Sequence, residues 1–418
     1  MRAAALALLA AAFTVTLLPG PWGDERVSDL FLYRGYALAF LDGRLPYRDL
    51  SFEYPPLAGP LLVLAELPGE GQDDYRLAFA ALALALAAAV VLLAGALAER
   101  TGGDRRAAML AAALMPLLTG AMLRTHFDLA PLALTLGALV LLCHDRPRAG
   151  FAILGLGVMT KGFPLVVAPV ALGWLLARGQ RRAALSGAVV LALTVGTIAA
   201  ATAALSTRGA VDAVTYHLDR PVQVESTPAS VLLALDALGA GTAPGVFSHG
   251  SDGLVHPIDG PLVALFLALL LGTIGLCTVA TARACRTLGP PEARRVFVLC
   301  SLTAVVAFAA LGKVLSPQFL IWLMPLPALA LAWRMRALAA VAAGAIALTL
   351  VEFPAHYRDV AAHEPLAVGL VAARNALLLV TLALALRTAI PSLAATMGGS
   401  AARWRLPVRQ RRPPPARR

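Results

Sequence analysis

The chain has 418 residues, 59% of them hydrophobic and only 14% charged, with a mean hydropathy of +0.76. Soluble globular proteins carry about 25% charged residues, so this composition excludes a soluble enzyme and predicts an all-α polytopic protein of the cell membrane. The net charge of +11 does not point to nucleic acid. The arginines fall in short segments between apolar runs and in a tail from Arg403, where anionic headgroups are the natural partner, and no aromatic–basic recognition module accompanies them.

In chain order, residues 1–20 are apolar and lack an A-x-A-like cleavage site, which reads as a retained first span. Residues 28–56 then mix carboxylates, arginines and tyrosines. Their first part reads as a helix up to Leu41, with Asp29, Tyr33 and Tyr36 on one face and Gly43 as the stop signal. The second part carries Tyr47, Glu53, Tyr54 and three prolines, and should be extended and rigid. Residues 55–67 have the length of a re-entrant or interfacial segment. Further spans are expected at 75–97, 109–123, 129–143, a pair at 150–159 and 163–176, then 183–205, 261–282, 296–311, 319–333, 337–351 and 366–386, for twelve crossings with the first.

The arginine-rich segments 100–106, 145–148, 178–182 and 283–295, with the tail, define a cytoplasmic face. Every mixed polar segment then falls on the opposite, extracytoplasmic face: 24–54, 124–128, 161, 206–227, 312–318 and 352–364. The expected units are one integral membrane domain over 1–390, with outer loops at 21–56 and 206–260, and a basic cytoplasmic tail over 391–418. A multi-span transporter or flippase for lipid or sugar phosphate has the same hydropathy. It would place polar groups near the midplane in two similar halves, and no internal repeat is visible.

Of 35 basic residues only Lys161 and Lys313 are lysine, which suggests positions needing a compact ammonium on a flexible stem. Each has a glycine beside it and a proline three or four residues on. A phosphate would satisfy such an ammonium; snorkelling to the interface is the plain alternative. The segment YHLDRPVQVES at 216–226 supplies His217, Arg220, Gln223 and Glu225, side chains that bind phosphate or sugar hydroxyls or simply solvate a loop. Arg124, His126 and Asp128 form a smaller group, equally a helix-hairpin turn. Asp29 is a carboxylate beside aromatics at a membrane rim, suited to a general base or to plain solvation on an amphipathic helix. There is no Walker loop, no HExxH and no CxxC, so neither a nucleotide loop nor a dedicated metal or disulfide site is expected.

Asp29 and Tyr33, followed by GRLPY at 43–47 and FEYPP at 52–56, resemble the first outer loop of the polyprenyl-phosphate-mannose-dependent (α-1,2-)mannosyltransferases of the GT-C glycosyltransferase superfamily. KGFP at 161–164 and SPQ at 316–318 resemble later motifs of that family. The resemblance runs in order over roughly residues 1–335; residues 236–260 match nothing in it. It implies a GT-C-like bundle with catalytic outer loops and Asp29 as the catalytic base. The implied reaction moves a hexose, mannose in the first instance, from a polyprenyl-phosphate donor to a hydroxyl of a glycolipid or glycan. The donor is a co-substrate, and no cofactor is implied. Expected substrate contacts are Tyr33, Tyr47, Glu53, Tyr54, Arg124, His126, Asp128, Lys161, His217, Arg220, Gln223, Glu225, Lys313 and Gln318. Lys161, His217, Arg220 and Lys313 are the cations expected to face the leaving phosphate.

Overall fold

The computed structural model describes residues 1–69 and 71–390; the basic tail expected over 391–418 lies outside the described residues. Among the described residues, five helices are long and apolar enough to cross a membrane: Gln72–Arg100, Arg181–Leu205, Asp259–Thr287, Pro290–Leu311 and Pro365–Ala389. Pro290–Leu311 is the axis of the bundle. From Phe297 to Leu311 every residue except Phe308 is buried, and the helix packs on Asp259–Thr287, Pro365–Ala389 and Val167–Ala177. Arg181–Leu205 is its opposite, burying only Ala184, Gly187 and Thr202. An apolar helix with so little protein around it has lipid as its solvent. The all-α polytopic architecture follows as the composition predicts.

The other expected crossings are shorter or broken, and the breaks position the site. The first helix, Arg2–Val15, has 14 residues, about 21 Å of rise against a hydrocarbon core of about 30 Å. The expected span at 109–123 is three pieces, Arg105–Ala113, Pro116–Thr119 and Met122–Thr125. Pro116 has no N–H to continue the ladder, and Gly120 turns the chain at φ +58. The expected span at 319–333 is likewise a 3-10 turn, Pro317–Leu323, followed by Pro325–Ala332. Both breaks leave irregular backbone inside protein rather than in lipid, where its polar groups find partners.

The polar segments sort to two ends as expected from the sequence. At one end Arg178 pairs with Asp145 at 2.6 Å, and Arg295 reaches the Thr101 carbonyl at 3.2 Å. At the other, Asp29 meets His126, Lys161 meets Asp128, His217 meets the Glu53 backbone and Tyr357 meets Asp252. Residues 206–260, expected as a loop, fold into a cap on this end. Helix Thr207–Asp219 is capped by Ser206, and helix Thr227–Ala237 by Ser226. Three short strands, β1 (Val222–Gln223), β2 (Gly245–Ser248) and β3 (Ser251–Leu254), form an antiparallel sheet in the order β1-β3-β2. His249 and Gly250 both take positive φ, the two-residue turn that matches hairpin twist. This hairpin accounts for much of the unplaced stretch 236–260.

Candidate active site

The site is built on the first outer loop. Ser28 Oγ accepts from the Leu30 N–H at 3.2 Å, so the cap of helix Leu30–Leu41 is supplied one residue early. Asp29, at the N-cap position, spends no side-chain bond on the helix backbone. Its Oδ2 accepts from the Tyr33 hydroxyl at 3.1 Å and lies 3.5 Å from His126 Nε2, with a third of the side chain exposed. The His126 ring is buried and held through Nδ1, 3.0 Å from Thr125 Oγ1 and 3.1 Å from the Met122 carbonyl.

Gly43 turns the chain at φ +81, and residues 44–56 run without helix, as the prolines require. The loop is pinned by its aromatics. Tyr47 donates to the Tyr54 carbonyl at 2.6 Å, and Phe52 packs against Tyr36, Phe40, Tyr47 and Tyr54. Gly209 of the cap approaches the Tyr47 carbonyl so closely that a side chain there has no room. Glu53 is half-buried, and its negative charge acts on the Tyr54 and Tyr216 phenols. Burial, then the negative charges of Glu53 and Asp29, push the Tyr36 phenol up to about 12. Both carboxylates thus act on Tyr36 and Tyr54, whose rings pack together and, through Tyr54, on Tyr33.

The expected cations meet different fates. His217 donates from Nε2 to the Glu53 carbonyl at 2.9 Å. Burial lowers its pKa from 6.5, with Arg220 and Lys161 adding to the effect, so at neutral pH it offers a hydrogen bond and no charge. Arg220 donates to Ser251 at 2.7 Å and keeps a buried Nε without an acceptor among the described residues. Lys161 donates to Asp128 Oδ1 at 2.7 Å. Lys313 donates to the Leu218 and Arg220 carbonyls at 2.5 and 2.7 Å, closing the C-terminal end of helix Thr207–Asp219. Arg124 is buried and reaches away from the site, to Thr16 O, Gly23 O and Glu25. Gln318 is half-buried beside the broken span.

Gln223 and Glu225 point into a separate buried cluster. Gln223 donates to Glu225 Oε2 at 2.6 Å and accepts from the Leu315 N–H at 3.3 Å. Arg374 and Asn375 both donate to the Glu225 carbonyl, tying the cap to the last helix. Burial, then the adjacent Glu352 carboxyl, raises the Glu225 pKa well above the usual range. The folded state thus holds a proton that the unfolded chain releases at about pH 4.3. Stability from this group is complete below that value and is lost as pH rises through the folded pKa. The melting temperature should therefore fall as pH rises above about 4.3, and Glu225→Gln should flatten that dependence. An equal slope in the variant would remove Glu225 as its source.

Trp322 and Ser251 carry no signal in the sequence, and Tyr216 stands in the 216–226 segment with no role assigned to it. Trp322, which donates to Asp128 Oδ1 at 2.6 Å, reads as core in an apolar run. Tyr216 and Ser251 act through partners far along the chain. An open groove of about 590 Å³ lies at the arginine-rich end, lined by Asp145, Arg181 and Arg182 among others. Its carboxylate is already paired to Arg178, so it offers no free base.

The model of glycosyltransferase family 87 matches residues 52–317, from Glu53 and Tyr54 through Lys161 to Lys313. The chain belongs to glycosyltransferase family 87. It is thus a membrane glycosyltransferase, with Asp29 and Trp322 outside the matched stretch. No curated protein and no solved structure matches the chain.

Proposed function

We propose that this family 87 chain transfers a hexose, mannose before others, from a polyprenyl phosphate to a hydroxyl of a glycolipid or glycan on the extracytoplasmic face. The observation that carries the reading is Asp29, one-third exposed and held by Tyr33 and His126 at the rim of a lipid-flanked bundle. The acceptor O–H bond breaks as its oxygen bonds to the anomeric carbon, and Asp29 takes the proton. The bond from that carbon to the phosphate oxygen breaks in the same displacement, inverting the centre. The leaving polyprenyl phosphate is a stable anion, needing cations rather than an acid. Lys161 and Arg220, whose charges both act on His217 at the cap, are the cations assigned to it. Glu53, with Tyr36 and Tyr54, is placed to bind sugar hydroxyls.

The test is transfer by the purified protein from labelled polyprenyl-phosphate mannose to a membrane glycolipid, with the anomeric configuration of the product read by NMR. Inverted product is expected. Transfer from a nucleotide sugar alone, or retention of configuration, would overturn the reading.

A further inference from the structure

Asp128 belongs to the site yet is wholly buried and meets no open surface. Its Oδ1 accepts from both Lys161 Nζ, at 2.7 Å, and Trp322 Nε1, at 2.6 Å. Its Oδ2 has no donor among the described residues, so these two bonds alone fix the carboxylate. The Lys161 ammonium also stands 4.9 Å from the ring centre of Phe127 and 5.6 Å from those of Phe319 and Trp322. Trp322 is stacked on Phe163 at 4.2 Å and on Phe319 at 4.0 Å, with interplanar angles of 14° and 22°. An indole packed in this way cannot swing its N–H away from Asp128.

A lysine this deep without a counter-charge would draw its ammonium toward water along its flexible stem. Here one N–H is held by a buried carboxylate, and the rings face the cation electrostatically. The two remaining N–H groups have no hydrogen-bond acceptor among the described residues. Lys161 is also close enough for its charge to act on His217, at the cap. A neutral glutamine or serine at 128 would hydrogen-bond the amine without offering it a counter-charge. A carboxylate fixed by the indole N–H offers both.

We infer that Asp128 and Trp322 are positioning residues that seat the Lys161 ammonium for a phosphate oxygen of the lipid-linked donor. Trp322 lies beyond the family-matched residues 52–317. The inference rests on the donor proposed above, and its test separates the two. Trp322→Phe keeps the stack and removes only the N–H. Asp128→Asn keeps Oδ1 and removes the charge.

The first readout needs no donor: the rate at which a small amine-reactive ester acylates Lys161 in the full-length protein, located by mass spectrometry. A seated, ion-paired ammonium reacts slowly. The rate should rise about 3-fold in Trp322→Phe and about 10-fold in Asp128→Asn. Unchanged rates in both would overturn the seat, and Trp322→Phe alone decides should Asp128→Asn fail to fold. The second readout is affinity for polyprenyl monophosphate, which should fall about 3-fold to 10-fold in each variant, with the acceptor KM unchanged. Asp128→Asn should add no further loss of affinity to Lys161→Ala, and should restore some of the stability that Lys161→Ala removes by stranding a buried carboxylate. A further loss of affinity in that double variant would overturn the inference. If acylation rises as expected but the wild-type protein binds no polyprenyl phosphate, the seat stands, and both its phosphate ligand and the donor reading are overturned.

Discussion

Asp29→Asn should lower turnover by about 10² to 10⁴ while donor affinity stays near wild type. Asparagine fills the same space and still accepts from the Tyr33 hydroxyl, a contact of 3.1 Å in the native protein. What it loses is the capacity to take the acceptor proton. Lys161 and Arg220 are untouched, so the contacts proposed for the leaving phosphate remain. Glu53→Gln makes the internal contrast. Its carboxylate acts on the Tyr36, Tyr54 and Tyr216 phenols, and a sugar hydroxyl is the ligand proposed for it. That variant should raise the acceptor KM more than it lowers kcat. Steady-state kinetics with each substrate varied in turn will read both. If Glu53→Gln abolishes turnover and Asp29→Asn retains most of it, the roles are exchanged.

Arg124→Ala should destabilise the protein by about 3 kcal/mol, with KM values unchanged in the fraction that stays folded. The guanidinium is 1% exposed; it donates to the Thr16 carbonyl at 2.8 Å and to Glu25 at 2.7 Å. Removing it strands a buried carbonyl at the end of helix Arg2–Val15 and cuts the tie between residues 16–25 and the broken span that carries His126 and Asp128. The estimate sits at the low end for a broken buried pair, because Glu25 keeps a second partner in Arg76. The midpoint of thermal denaturation in detergent is the measurement. A wild-type midpoint with a raised donor or acceptor KM would return Arg124 to the substrate site.

The contrast between these two residues shows where sequence reasoning reached. The helix that begins at Asp29 is legible because its signals are local: Tyr33 one turn on, and Gly43 to end the helix. The same holds for the rigid FEYPP stretch, where proline geometry fixes the backbone whatever surrounds it. Membrane class and the sorting of polar segments to one end follow from composition and arginine asymmetry, which are properties of the chain itself. The partners of the cations are not. Nothing local to Lys161, Lys313 or Arg124 names the acceptor each one takes. Their acceptors lie 33, 95 and 108 residues away, at Asp128, Leu218 and Thr16. No periodicity carries information over such separations. The packing of broken helices decides that Lys161 pairs with Asp128, that Lys313 closes a helix and that Arg124 anchors the first turn. The cap over residues 206–260 is decided in the same way. Its short strands are too weak to form alone, and they exist because Glu225 and the Gln223 backbone are anchored to Arg374 and Lys313 across the bundle.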